Sequence, residues 1–445
     1  MFLGGLCKKL RHTLWAAEYR CEAFSGASIP DVPRRGLKQL IESRDSIKGI
    51  RMKKNLIGAA VAALAASFAT AASAQSSVTL YGTLDAGFTF VNNVRSAPGS
   101  DYNKASAWGV TGNNVQDSRW GLTGAEDLGN GMKAVFRLES GFNPANGSGA
   151  GAARQSYVGI STNQGTVTLG RQNDAVADYL GPLSATGTFG GTYFAHPDNL
   201  DNLDGNNFRL SNSVKFQSAN YAGLTFGGEY GFSNSAGSFA ANRAYSLGAG
   251  YANGPIKAGI AYTQANGINS NNVGAINGAT VVPHVVGDAF VAAGQPAEAA
   301  EAAFGTIRQR TFGAGASYST NAMQFGLLWT QVRQDGSNFD ATAVTNNYEA
   351  NARYALTPAL SLGAAYTFTN QKLGAAGEST RVRYHQFGLQ TDYALSKRTD
   401  VYAEGVMQIA SGLPENEYPS AQISGAAASS SSRQVLVTAG IRHRF

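Results

Sequence analysis

Residues 78–90, VTLYGTLDAGFTF, alternate in side-chain character with period two. One face carries Val78, Leu80, Gly82, Leu84, Ala86, Phe88 and Phe90; the other carries Thr79, Tyr81, Thr83, Asp85, Gly87 and Thr89. Successive side chains of a strand point to opposite sides of the sheet, so this is a strand with one apolar and one polar face. The pattern returns in Leu224, Phe226, Gly228, Tyr230 and Phe232 against Thr225, Gly227, Glu229 and Gly231, and again in Leu360, Leu362, Ala364, Tyr366 and Phe368 against Ser361, Gly363, Ala365 and Thr367. Sixteen such segments lie near 78–91, 116–125, 132–142, 153–161, 166–172, 211–219, 223–232, 243–252, 256–265, 308–319, 323–333, 347–355, 360–370, 381–394, 400–411 and 433–445. Many are long enough for a tilted strand to cross the hydrocarbon of a bilayer, which takes about nine to eleven residues.

The start of the chain reads as an export leader. Lys53 and Lys54 precede the apolar run from Leu56 to Ala66, and Ala72-Ser73-Ala74 fits a small-residue cleavage site, so a signal peptide is expected over 52–74 and a mature chain over 75–445. A membrane helix is disfavoured because the run is short, Ala-rich and interrupted by Ser67 and Thr70. Residues 1–51 show no sustained period and are expected to reflect a start codon placed too early; a genuine extension removed with the leader is the alternative. Of the 35 Lys/Arg and 29 Asp/Glu, 12 and 5 fall within residues 1–74, which leaves 23 and 24 and a formal charge of −1. The basic balance belongs to the leader, and no nucleic-acid partner is implied. Cys7 and Cys21 also precede residue 75, so the exported chain holds neither disulfides nor thiolate metal sites. No cofactor is expected. After the leader no apolar run of about 18 residues follows, so the chain does not encode helical spans.

Short connections such as 162–165, 253–254, 356–359 and 395–398 alternate with long ones such as 92–115, 172–210, 266–307 and 412–432. That alternation describes an all-β fold: a 16-stranded antiparallel up-and-down transmembrane barrel, with short turns at one end and long loops at the other. A soluble β-sandwich is the alternative; the export signal, the strand lengths and the chain end weigh against it. The chain ends VLVTAGIRHRF, with Val435, Val437, Ala439, Ile441, His443 and Phe445 on one face. A strand in hydrocarbon cannot leave an edge unpaired, so this last strand is expected to close onto residues 78–91.

Several stretches resemble the general porins of Gram-negative bacteria, nearest to the neisserial and Burkholderia-type branch: SSVTLYGTLDAGFTF (76–90), SRWGLTGAEDLGNGMKAVFRLESGF (118–142), RQSYVGIS (154–161), VTLGRQ (167–172) and the closing AGIRHRF. The resemblance implies a homotrimer of sixteen-stranded barrels in the cell outer membrane, with the third long loop folded into the lumen and no enzymatic turnover. It implies passive passage of ions and small hydrophilic solutes, contact with outer-membrane lipid and lipopolysaccharide, and a C-terminal Phe445 read by the outer-membrane assembly machinery.

Strand phase locates the lumen charges, because Arg at mid-membrane on the lipid face costs about 2–4 kcal/mol. Trp120 and Leu122 take the lipid phase, which turns Arg119 to water; Ala134, Phe136 and Leu138 likewise turn Lys133, Arg137 and Glu139 to water. By resemblance Arg119, Glu139 and Arg154 line the family's eyelet, and Arg209 or Lys215 completes the basic cluster. Arg154 shares its phase with Val158 and Ile160, so a bulge or a rim position is required to turn it inward. Arg171, on the phase of Val167 and Leu169, is placed past the lipid edge. The 172–210 connection is far longer than an ordinary turn and contains Asp174, Asp178, Asp198, Asp201 and Asp204, the expected acidic half of a constriction. A wall with more arginine than assignable acid leans towards weak anion preference. A substrate-selective channel would want a file of lumen aromatics, where only Tyr81 and Tyr402 stand on lumen phases; an outer-membrane enzyme would want a nucleophile and base at one level, and none stands out.

Overall fold

The structure, a computed structural model, describes residues 77–95, 105–149, 151–267, 274–276, 282–287, 304–338, 340–412 and 421–445. The expected extension, signal peptide and first mature residues lie outside the described residues. Among the described residues the strands are β1 (Ser77–Val94), β2 (Ala105–Gly112), β3 (Arg119–Gly129), β4 (Met132–Gly141), β5 (Ala152–Ser161), β6 (Gly165–Gln172), β7 (Leu210–Ser218), β8 (Leu224–Gly231) and β9 (Ala244–Asn253). They continue as β10 (Ile256–Asn266), β11 (Thr306–Ser319), β12 (Met323–Gly336), β13 (Thr342–Ala355), β14 (Leu360–Ala375), β15 (Glu378–Ala394), β16 (Thr399–Ser411) and β17 (Arg433–Arg444).

Strand β1 pairs with β2 through Ala86–Val94 and with β3 through Ser77–Thr83, so β2 and β3 lie end to end as one barrel strand broken at 113–118. The sheet is therefore a closed sixteen-stranded antiparallel barrel, shut by β17 on β1 from Thr83↔Arg444 to Val91↔Leu436. The expected closure of the last strand on residues 78–91 is what the register shows. Segment 105–112 is the one strand placed in a loop by the sequence reading. Its alternation rests on Trp108 and Val110 alone, too brief a run to carry a period, and the break at 113–118 hides its continuity with β3.

The faces of the barrel are inverted relative to a soluble sheet. Leu327, Leu389 and Val110 are 68%, 67% and 64% exposed on the outside, while Thr330, Asn347 and Thr438 inside are fully buried. An exposed apolar band of this extent marks contact with lipid. The chain end is held in this wall. Gly82 N–H donates to the Phe445 carbonyl at 3.0 Å and Phe445 N–H to the Gly82 carbonyl at 3.1 Å. A Cβ on Gly82 would lie 2.3 Å from the Phe445 ring, so the terminal aromatic lies across the bare glycine on the outer face.

The 173–209 connection runs along the inward faces of β8–β17 and reaches Val91 of β1. Asp174 caps helix α1 (Ala175–Tyr179) by accepting from Ala177 N–H. Val176, Leu180, Leu183 and Leu203 pack on Ala261 and Leu328 of the wall, and Phe189, Tyr193 and Phe194 pack with Val91, Val406 and Leu436. Inward glycines make room for the segment. A Cβ on Gly248 would fall 2.3 Å from the Tyr179 ring, one on Gly259 2.5 Å from the Tyr179 carbonyl oxygen, and one on Gly388 2.3 Å from the Phe194 ring. The GAGASYS run at 313–319 belongs to the same bed, with Gly313 beneath Leu180 and Gly315 beneath Leu183. Polar ties complete it: Glu349 accepts from Ala185 N–H at 2.7 Å, and Gln386 donates to the Ala195 carbonyl at 3.0 Å.

Two outcomes are expected from this architecture. Leu389→Arg, on the lipid face, should lower unfolding free energy in lipid vesicles by about 2–4 kcal/mol. Gly259→Val should leave the barrel folded but displace the α1 backbone, seen as a changed unit conductance with the heat-resistant barrel band retained on gels.

Candidate functional site

The site is built on β3–β5. Arg119, Arg137 and Glu139 reach the interior as strand phase requires. Arg154 reaches it through a β-bulge: Leu138 pairs with Ser156 and Ser140 with Ala153, so β5 carries one extra residue across this step. The bulge shifts Arg154 off the outward phase of Val158 and Ile160. Glu139 is the hub. It accepts from Arg154 Nε at 2.8 Å and from the Tyr81 hydroxyl at 2.9 Å, and it pairs with Arg119 Nε at 3.4 Å. Arg137 lies over the Tyr81 ring, 5.7 Å from its centroid. Arg154 also pairs through Nη1 with Asp117 at 2.9 Å and donates to Asn206 Oδ1 at 2.9 Å, which ties the wall to the returning leg of the 173–209 segment.

Asp117 comes from the break between β2 and β3, which Asp85 draws inward by accepting from Val115 and Gln116 N–H. The sequence reading placed 116–125 in a continuous strand and so did not single out Asp117. Arg209 donates to Asn173 Oδ1 at 3.1 Å and to Asn206 Oδ1 at 3.3 Å, a buried strut within the segment. Lys215 pairs with Asp178 and donates to the Asn173 carbonyl at 2.7 Å.

A second charged cluster faces the same interior. Arg442 pairs with Asp392 at 3.1 Å and Asp400 at 3.0 Å, and Arg444 pairs with Asp400 at 2.7 Å. Arg442 and Arg444 occupy the polar phase of the closing strand, so the alternation that located Arg119 and Arg137 would have found them too. Together the clusters and the inner edge of the 173–209 segment line an open cavity of 620 Å³. Its charged lining is seven basic side chains (Arg119, Arg137, Arg154, Arg353, Lys397, Arg442, Arg444) against five acidic ones (Asp117, Glu139, Asp204, Asp392, Asp400). Asp178 and Lys215 line an adjoining cavity of 560 Å³, shared with Arg137.

The acids of the 173–209 segment mostly turn to the wall. Asp174 is fully buried and accepts from the Thr263 hydroxyl at 2.6 Å; burial pushes its carboxyl up to about 6. Asp198 pairs with His284 at 2.6 Å, outside both cavities. Asp201 pairs with His196 Nδ1 at 2.6 Å, while His196 Nε2 meets Glu349 at 2.9 Å and Asp201 also accepts from the amide of Asn347 at 3.1 Å. Burial works against the His196 charge, but the flanking carboxylates Asp201 and Glu349 outweigh it and lift the imidazole to about 10. Of the segment's acids, Asp204 reaches the larger cavity and Asp178 the smaller, and the rest of the segment's contribution to the larger cavity is uncharged, with Gly181, Pro182, Thr186, Gly187 and Thr188 among it. Arg171 donates to the Ser211 hydroxyl at 2.6 Å and to the Ala153 carbonyl at 3.1 Å, at the strand ends above the lipid phase.

Comparison with known proteins gives this arrangement its setting. A family model described as Gram-negative porin matches residues 59–411. An outer membrane porin protein of Bordetella pertussis is 31% identical over 440 residues, covering 88% of this chain and 100% of that protein. The outer membrane porin protein 32 of Delftia acidovorans is 36% identical over 221 residues, 48% of this chain and 60% of its own length. A major outer membrane protein P.IB of Neisseria meningitidis serogroup B is 32% identical over 228 residues, 49% of this chain and 62% of its own. Among solved structures, the anion-selective porin from Comamonas acidovorans superposes with a TM-score of 0.62 at 24% identity, over 83% of this chain and 100% of that one. In-vitro folded OmpT of Vibrio cholerae superposes with a TM-score of 0.55 at 15% identity. The structural likenesses bear on the fold; the family match and the full-length relative bear on kinship. This chain belongs to the Gram-negative porins, β-barrel proteins of the outer membrane.

Proposed function

We propose that the barrel is a general diffusion channel in which the 173–209 segment narrows the lumen and the basic wall of β3–β5 sets a weak preference for anions. A sixteen-stranded barrel is too wide for its own side chains to fill and encloses water. The observation that carries the selectivity is the excess of basic over acidic side chains around the larger cavity, seven against five. The segment's acids add little to that space, because Asp174, Asp198 and Asp201 are spent on fastening it to the wall and to His284. Asp204 is the one acid of the segment that lines the larger cavity with Arg119, Arg137 and Arg154, so the segment does not offer them a matching acidic rim. Charged side chains at a constriction bias ion choice by their sign, Arg and Lys favouring anions. The Comamonas acidovorans neighbour is an anion-selective porin, a preference of the same sign. Arg209 and Lys215 act behind this surface by holding Asn173 and Asn206 in place. A homotrimeric assembly accords with the trimer form in which OmpT of Vibrio cholerae, a structural neighbour, was solved.

In planar bilayers under a KCl gradient, the reversal potential should indicate anion preference, strongest at low salt because screening shortens the reach of the wall charges. Replacing Arg119 and Arg154 by Gln should move it towards cations; an unchanged value would remove both residues from the constriction. Conductance should appear in steps of three if the assembly is trimeric. The His196 clasp gives a pH dependence with a definite sign. Its pKa is raised from 6.5 to about 10, so its contribution is fully present below pH 6.5 and is lost as pH rises through about 10. Open-channel noise from a loosened segment should grow in that alkaline window. His196→Ala should bring it to neutral pH, since it strands two buried carboxylates at a cost of about 3–5 kcal/mol.

A further inference from the structure

Between β2 and β3 the wall turns its backbone into the lumen, and the turn is fastened on both sides. On the wall side stands Asp85, which is fully buried. Its Oδ2 accepts from Val115 N–H at 2.8 Å and from Gln116 N–H at 2.6 Å, and its Oδ1 accepts from the Tyr402 hydroxyl. Asn113, at a φ of +67°, donates its N–H to the Asp85 carbonyl at 3.0 Å, and its Oδ1 accepts from Ser118 N–H at 2.8 Å. On the lumen side the 173–209 segment grips the same turn. Thr192 N–H donates to the Asn114 carbonyl at 2.8 Å, the Thr192 hydroxyl to the Asn113 carbonyl at 2.6 Å, and the Tyr193 hydroxyl to Asn114 Oδ1 at 2.9 Å. This fixed turn carries Asp117 to the larger cavity.

What Asp117 does there follows from its partner. Arg154 is held by two carboxylates, and they are not alike. Glu139 takes Arg154 Nε at 2.8 Å, accepts from the Tyr81 hydroxyl and pairs with Arg119, and its side chain is 5% exposed. It cannot leave without unpairing all three groups. Asp117 takes Arg154 Nη1 at 2.9 Å, and both of those side chains are 16% exposed. Among the described residues Arg154 is the only partner of the Asp117 carboxylate. Arg154 Nη1 also donates to Asn206 Oδ1 at 2.9 Å, a neutral bond that orients the guanidinium without cancelling its charge. Glu139 is thus the anchor, and Asp117 is a counter-charge at the water's edge, where an ion pair is weak enough to exchange.

A guanidinium offers the same N–H groups to any oxyanion, whether a side-chain carboxylate or a solute. We propose that Asp117 is a specificity-determining residue of the channel: it stands on Arg154 as a built-in counter-anion, and a small permeating oxyanion takes its place on Nη1 in passing. Arg154 then selects by exchange. The arriving anion replaces a negative charge, so it is recognised by the fork and is released when Asp117 returns. The inference rests on the anion preference of the channel and deepens it by naming the group against which a permeating anion competes.

Wild type, Asp117→Asn, Arg154→Gln and the double variant are recorded in planar bilayers at about 1 M KCl, where the Debye length is about 3 Å and only contact interactions persist. Potassium sulfate is added, and the concentration that halves the chloride current is read. Asp117→Asn should lower that concentration about fivefold, the scale of one water-exposed ion pair removed as a competitor. In the Arg154→Gln background the same replacement should leave it nearly unchanged, because the contested group is gone. Asp117→Ser, also uncharged, repeats the test if the Asn variant yields no folded barrel. Unchanged sulfate block in the Asp117 variants, or an equal fall with and without Arg154, would overturn the inference and leave the anion preference standing. A reversal potential that does not move when Arg119 and Arg154 are replaced by Gln would overturn both.

Discussion

Hydrocarbon offers no hydrogen bonds, and the rest of this structure follows from that. Every backbone N–H and C=O that crosses the bilayer must find its partner in the protein. A sheet can meet the demand only by having no edge, which is why the closing strand ends in place rather than fraying. Its last residue exchanges two backbone hydrogen bonds with Gly82, and its ring covers the gap that Gly82 leaves in the outer face. Closure in turn fixes two environments. The outer face must be apolar, and the polar residues have only the lumen to occupy, so the charges that distinguish the channel are confined to its interior by the same rule that shuts the wall.

Much of this was legible because period two survives in a single sequence. Sixteen of the seventeen strands stand where the alternation placed them, to within a few residues at most ends. Strand β2 escaped because two outward residues do not make a period. The alternation also oriented Arg119, Arg137 and Glu139. For Arg154 it required a bulge or a rim position, and the extra residue of β5 is that bulge. Arg442 and Arg444 were visible by the same rule and were not singled out.

The inner segment was legible in length and not in detail. Its five aspartates look alike in sequence, yet Asp174 caps a helix under the wall, Asp201 clasps His196, Asp198 meets His284, and Asp178 and Asp204 reach open cavities. Which way an acid turns depends on partners distant in sequence, such as Thr263 for Asp174, His284 for Asp198 and Thr330 for Asp201, and no local period encodes them. One signal was present and went unused. Glycines on inward phases of neighbouring strands, including Gly248, Gly259, Gly313 and Gly388, mark where a second layer of chain must lie against the wall. In a barrel with so wide a lumen an empty inward position needs an occupant or a reason, and here the occupant is the constricting segment.

The most direct test of the two-faced wall is a nitroxide scan along β13 in lipid vesicles, one cysteine variant at a time from Tyr348 to Arg353, in a chain starting at residue 75 that carries no other cysteine. Collision with oxygen reports lipid, and collision with a water-soluble nickel chelate reports the lumen. The account predicts strict alternation, with Tyr348, Ala350 and Ala352 oxygen-accessible and Glu349, Asn351 and Arg353 shielded from lipid. Loss of the two-residue period, or oxygen-inaccessible labels at Tyr348, Ala350 and Ala352 as in a sheet packed against a second sheet, would contradict it.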